Sequence, residues 1–214
     1  MDVNSRKNSF LIVVGVGIIF AFILLYNTII SGEDNYVLEI QKMRKEKDES
    51  FKNSPSSPLP DSLKKDFKGL SYFDVNKKFS ITSTFIPDPI RPRVETPQND
   101  PTKNDFLTLA GKVKFMFDGE EYQLTAFLEN ERNSKLLFVP FRDATSGKET
   151  YGGGRYLEKI QLVNGKAVLD FNKAFHPLCV FNYSFVCPVP PPENTLPFAV
   201  TAGEKFAEGA NPSH

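Results

Sequence analysis

Residues 107–127 read L-T-L-A-G-K-V-K-F-M-F-D-G-E-E-Y-Q-L-T-A-F. Leu107, Leu109, Val113, Phe115 and Phe117 are apolar, mostly with polar or small residues between them. A period of two predicts a strand packed on a core through one face, because successive side chains leave a pleated backbone on opposite sides. Asp118-Gly119 then supplies the pair that a two-residue hairpin turn favours, and residues 121–127 return as the partner strand.

Working outward, the same grammar recurs. Residues 136–141 form a short buried run. Residues 160–163, Asn164-Gly165 and residues 166–171 give a second hairpin signal, and residues 198–202 suit a last strand. Upstream, residues 78–85 are rich in Phe, Ile and Thr, and Pro87, Pro89, Pro92 and Pro97 mark a loop after them. Successive hairpins favour antiparallel pairing, so the expected fold is mainly β, an antiparallel β-sandwich or open barrel. No internal repeat is present.

The N-terminal third differs. Residues 10–30 form a 21-residue run without a charged side chain. As a helix it spans about 30 Å, the thickness of a bilayer core. Arg6 and Lys7 precede it, and Glu33 and Asp34 follow it. The positive-inside rule then keeps the N-terminus cytoplasmic and exports the rest. A cleaved signal peptide is the alternative, although this run exceeds the usual apolar core and lacks a small-residue cleavage site. Residues 36–51 read as a short amphipathic helix, with Tyr36, Ile40, Met43 and Phe51 roughly on one face. Prolines and serines in residues 53–60 break it, and a brief helix at residues 62–67 ends at Gly69. The expected organisation is a cytoplasmic N-terminus (1–9), a transmembrane anchor (10–30), a helical and Pro/Ser-rich stalk (31–60), a β-rich domain (61–206) and a flexible tail (207–214).

Of 214 residues, 26 are Lys or Arg and 26 are Asp or Glu, so the formal net charge is zero. The lysines alternate with acids, as in Lys45-Glu46-Lys47-Asp48, which excludes the clustered cationic surface that nucleic acid requires. Trp is absent, and 20 Phe must supply the aromatic core.

Several strings in the chain are long and unusual. Phe67-Lys68-Gly69-Leu70-Ser71-Tyr72-Phe73 is one. F-R-D-A-T-S-G-K-E-T-Y-G-G-G-R-Y-L follows at residues 141–157, then L-D-F-N-K-A-F-H-P-L-C-V-F-N-Y-S-F-V-C-P-V-P-P-P-E-N at residues 169–194, and Ala202-Gly203-Glu204-Lys205. Over about residues 39–206 the chain resembles the uncharacterised family called domain of unknown function 1684. The resemblance implies an exported, often lipoprotein-like setting and brings no activity. Lipidation near the apolar run is excluded because the first cysteine is Cys179. The chain departs from the family pattern at His176, where Asn is usual.

Two places could carry chemistry. His176, Cys179 and Cys187 offer three soft or borderline donors within twelve residues, a weak metal candidate without an evident fourth ligand. Outside the cytoplasm a Cys179–Cys187 disulfide is the commoner expectation. It would close a loop of about nine residues, stabilising by about 2.6 kcal/mol. Buried free thiols are the third state. No nucleophile elbow, zinc-helix or phosphate-loop motif occurs, and no cofactor is predicted.

The second place is residues 143–156. Gly152, Gly153 and Gly154 permit a close backbone approach, and Arg155 can grip an oxyanion in two hydrogen bonds. Tyr151 and Tyr156 flank them. Asp143, Thr145, Glu149, Asp170 and Asn172 complete the candidate ligand-binding set. The bland alternative is a tight bend with Arg155 paired to a structural acid, Asp170 or Glu149. The expected function is thus a membrane-anchored binding or accessory module outside the cytoplasm. Its partners would be the membrane, through the N-terminal helix, and a small anionic ligand, a glycan or an envelope protein. A hydrolytic or metal-assisted envelope enzyme using Asp170, His176 or the cysteines, and a purely structural interaction protein, stand as alternatives.

Overall fold

The computed structural model describes residue 32, residues 34–129 and residues 136–207. The apolar run at residues 10–30 and the tail beyond Ala207 lie outside the described residues. Among those described, no helix is long and apolar enough to cross a membrane. The chain divides into two compact units, Met1–Arg44 and Lys45–His214. Residues 34–53 are helical (α1), so the first unit is represented by helix alone and the second begins within it.

In the second unit, Lys47 and Phe51 lie one turn apart on α1 and share a face. Phe51 meets Phe181 edge-on at 5.0 Å, and Lys47 Nζ lies 4.4 Å from the centre of the Phe175 ring. The helix expected at residues 62–67 shrinks to the single turn α2 (Asp61–Lys64), with Pro60 at its N-cap and no side chain capping it.

The body is an antiparallel sheet curled into a nearly closed barrel. Its strands are β1 (Ser71–Tyr72), β2 (Ser80–Pro87), β3 (Arg93–Thr96), β4 (Asp105–Phe117), β5 (Glu120–Leu128), β6 (Leu136–Phe141), β7 (Arg155–Gln161), β8 (Lys166–Asp170) and β9 (Glu204–Lys205). The large sheet has the order β7-β6-β5-β4-β2-β8, with β3 added beside β4, and β1 pairs with β9 apart from it. The Asp118-Gly119 hairpin forms as its residues dictate: both sit at positive φ (50° and 86°), and Phe117 pairs with Glu120. Asn164-Gly165 also turns at positive φ, 51° and 73°. Its strands nevertheless diverge after one bridge, Val163 to Lys166, because β8 takes β2 as its ladder partner. That divergence is the seam where the barrel stays open.

The alternation in β4 is not a single face. Leu109 pairs with Phe127 and Gly111 with Ala126, so β4 carries one extra residue there. A bulge of this kind reverses which face the following side chains occupy. Ala110, Val113, Phe115 and Phe117 point into the barrel with Leu124, Ala126 and Leu128 of β5, whereas Leu109 and Phe127 share the outer face. Gly111 sits at φ 148°, and a Cβ there would collide with the Ile86 carbonyl oxygen, so the bulge needs glycine. β7 repeats the device: Lys159 at φ 55° lets Leu157 and Ile160, three apart, both enter the core.

Two other expectations need correcting. The proline-rich stretch after β2 contains β3, which pairs with β4 from Arg93↔Thr108 to Thr96↔Asp105. Residues 198–202 form no strand. Val200 and Ala202 are buried in the barrel core, and their carbonyls bond to a side chain instead of a neighbouring strand.

Candidate functional site

That side chain is Arg155, at the first residue of β7 and fully buried. Its Nη1 donates to the carbonyls of Ala202 (2.6 Å) and Glu204 (3.0 Å), and its Nη2 to the carbonyl of Val200 (2.8 Å) and to Asp143 Oδ2 (2.9 Å). Asp143 Oδ1 in turn accepts from the Thr145 amide (2.8 Å), the Thr145 hydroxyl (2.6 Å) and the Val200 amide (3.2 Å). Thr145 and Thr150 join their hydroxyls at 2.9 Å. Burial pulls the guanidinium's pKa below its ordinary value, and Asp143 opposes that shift. The structural acid beside Arg155 is therefore Asp143, and the four donor contacts leave the two terminal nitrogens turned inward.

A second acid–base group adjoins it. Glu204, 1% exposed, accepts the His176 amide at Oε2 (2.8 Å), and its Oε1 lies 2.6 Å from Lys47 Nζ. Burial raises the Glu204 pKa, with Lys47 acting against it. His176 Nδ1 stands 3.8 Å from Glu204 Oε2, and Nε2 accepts the Tyr151 amide at 3.4 Å. Phe206 stacks on the imidazole with centroids 4.7 Å apart. Burial first, then Arg155 and Lys47, lower the His176 pKa to about 3, so the ring is neutral. An imidazole with its Nε2 lone pair occupied by an amide is poorly placed to act as a base or a metal ligand.

The other candidates scatter. Gly154 has φ 96° and donates its amide to the Tyr151 carbonyl at 2.9 Å, closing a turn in which Gly152 is exposed and Gly153 lies against the Tyr151 ring. Glu149 is exposed, and its carbonyl accepts the Phe206 amide. Tyr156 is buried, with its hydroxyl donating to the Pro188 carbonyl. Asp170 caps a short 3-10 turn by accepting the Asn172 amide at 3.2 Å. Asn172 pins residue 76 through two bonds, from the Asn76 amide (2.9 Å) and to its carbonyl (2.8 Å). Arg155, Asp143 and Thr145 thus come together, while Asp170 and Asn172 serve a different junction.

The expected Cys179–Cys187 disulfide is not formed: both cysteines are free and buried. The Cys187 sulfur instead accepts the Cys179 amide at 3.3 Å. Nor does His176 join them, since its ring nitrogens face Tyr151 and Glu204. Among the described residues, no group of three or more His, Cys, Asp or Glu is placed to hold a metal ion.

The sequence did not disclose a groove of about 490 Å³ on the outer face of the barrel. Its floor includes Val94, Leu109 and Phe127, and Pro87, Pro89, Pro97, Val189 and Pro191 line its walls. The strap at residues 187–193 is tied down at several points, among them Cys187 to Asn99, Pro188 to the Tyr156 hydroxyl and Pro190 to Arg142. The Val189 amide bonds to the Pro97 carbonyl (2.7 Å), and Asn194 bonds to both backbone groups of Thr125 and to the Pro140 carbonyl. Three carboxylates (Asp88, Glu95, Glu193) and one ammonium (Lys112) lie along it. Only the bulge at Gly111, which turns Leu109 outward, could have signalled this groove, and an unbroken reading of the alternation hides it.

The comparisons agree with the fold. The family model described as "Protein of unknown function (DUF1684)" matches residues 65–205. A solution NMR structure of an uncharacterised protein of Haloarcula marismortui is 35% identical, with a TM-score of 0.65, covering 84% of this chain and 99% of that one. No curated protein matches. The strings at residues 141–157 and 202–205 are those that build the buried Asp143–Arg155–Glu204 network, and the chain belongs to the DUF1684 family.

Proposed function

We propose that this chain is a binding module, tethered to a membrane by residues 10–30 and displayed outside the cytoplasm, whose ligand lies in the proline-walled groove. The observation that carries the proposal is the groove: an open, largely apolar concavity with a few polar groups, the usual form of a small-molecule site. Its walls are stiff, because proline fixes φ and Asn194 bolts the strap to β5 and β6. Three carboxylates against one ammonium favour a ligand with an apolar body and a cationic head over the anionic ligand expected at Arg155. Glu193, which accepts a hydrogen bond from the Thr125 hydroxyl at 3.2 Å, is an exposed acid positioned to meet such a head.

The test compares hexyltrimethylammonium with hexyl sulfate, titrated calorimetrically into the full chain in nanodiscs, with empty nanodiscs as the blank. Burying six carbons contributes about 4–5 kcal/mol, which places the dissociation constant in the range of about 1 mM. The cation should bind more tightly than the sulfate, and Leu109→Trp, which fills the floor, should weaken it at least tenfold. Equal binding of both amphiphiles, unaffected by Leu109→Trp, would refute the assignment.

A further inference from the structure

Cys179 and Cys187 belong neither to the Arg155 network nor to the groove's lining, yet they are placed together. The Cys179 amide donates to the Cys187 sulfur at 3.3 Å, and the two side chains lie in one small buried cluster. Tyr156, Phe138, Phe175 and Phe185 pack around them as a small core separate from the barrel interior. Cys187 is anchored by the Asn99 side chain, which accepts its amide at 2.6 Å, and by the Asn99 amide, which donates to its carbonyl at 3.0 Å.

We propose that Cys179 and Cys187 form a two-coordinate site for copper(I). Ligand type and ligand number together select the ion. Both donors are soft sulfurs, which discriminate against magnesium, calcium and manganese. Structural zinc takes four ligands, and no third His, Cys, Asp or Glu converges here among the described residues. His176 is committed to the Tyr151 amide and faces Glu204. Copper(I) is satisfied by two thiolates in a water-poor, aromatic setting, and the amide bond to Cys187 helps to hold negative charge on sulfur. Binding breaks both S–H bonds, releases two protons and forms two S–Cu bonds without transfer of an electron. The charge of the metal displaces both protons.

The experiment is an anaerobic titration of the reduced full chain into the copper(I)–bicinchoninate complex. The chain should withdraw one equivalent of copper, and its melting temperature should rise with loading. Cys179→Ser and Cys187→Ser should each weaken withdrawal at least a hundredfold, with amide NMR dispersion reporting that they fold. Copper loading of the wild-type chain should also shield both cysteines from iodoacetamide, a readout that needs no variant. Failure of the folded wild-type chain to withdraw copper, undiminished withdrawal by the double serine variant, unshielded cysteines in the loaded chain, or displacement of copper by equimolar zinc would each overturn the proposal.

Discussion

Arg155 Nη2 donates to Asp143 Oδ2 at 2.9 Å, with both side chains shut off from water. The pair joins the start of β7 to the turn after β6, and the remaining guanidinium donors hold residues 200–204, which have no strand partner of their own until β9. An ion pair of this kind is a junction, and its energetics are lopsided. Removing one partner leaves an uncompensated buried charge, which destabilises by about 3–5 kcal/mol. Arg155→Ala and Asp143→Ala should each lower the unfolding free energy measured by urea titration by that amount, and the double variant should lose less than the sum. Unfolding free energies within about 0.5 kcal/mol of wild type would show that the pair carries no structural load.

His176 makes the fold acid-sensitive. Its pKa is about 3 in the folded state and near 6.5 when unfolded, so between those values the unfolded chain binds more protons. Its contribution is therefore complete above about pH 6.5 and is lost as the pH falls toward 3. Glu204, whose pKa is raised, has the opposite sign: its carboxyl keeps its proton more readily in the folded state and so favours folding as the pH falls. His176→Asn removes the first dependence and retains the backbone amide that bonds to Glu204. The variant should show a flatter loss of stability from pH 6.5 to 4.5 in urea titrations, and an unchanged slope would contradict the neutral, buried imidazole.

Gly111 should tolerate no side chain. With φ at 148° and the Ile86 carbonyl in the path of a Cβ, Gly111→Ala should destabilise by roughly 2 kcal/mol or more. Gly119, also at positive φ but with open space around it, isolates the conformational part, so Gly119→Ala should have the smaller effect. Comparable thermal unfolding of both variants would show that the collision at Gly111 is relieved.

Asn194 tests the strap. Its amide group makes three bonds of 2.6–2.9 Å to Thr125 and Pro140 from a fully buried position. Asn194→Ala strands the Thr125 amide and two carbonyls, and each unsatisfied buried group costs about 1–3 kcal/mol. A loss of roughly 3 kcal/mol or more is expected, accompanied by faster hydrogen exchange at Thr125 and Val189. Wild-type exchange at both positions would show that Asn194 does not contribute to holding the strap.

The β class and both hairpin turns were legible in the sequence because Asp118-Gly119 and Asn164-Gly165 encode local backbone geometry. What the strands did after those turns was not. β8 pairs with β2 across more than 80 residues, and the bulge at Gly111 leaves no mark on a pattern in which Leu109 and Val113 stay an even number of positions apart. The candidate site was legible only in its members: the glycines, Arg155 and Asp143 were identified, but whether a guanidinium faces solvent or carbonyls depends on residues 200–204, nearly 50 positions away. The state of the cysteines was not legible: compartment chemistry favours a disulfide, whereas in the structure both are free thiols.

The most direct test of the account is a methyl NMR map of the full chain with added hexyltrimethylammonium. Shift changes centred on Val94, Leu109 and Val189, with Val200 and Leu157 undisturbed, would place the ligand in the outer groove and leave Arg155 as internal structure. Changes centred on Val200 and Leu157, with the groove methyls silent, would contradict it.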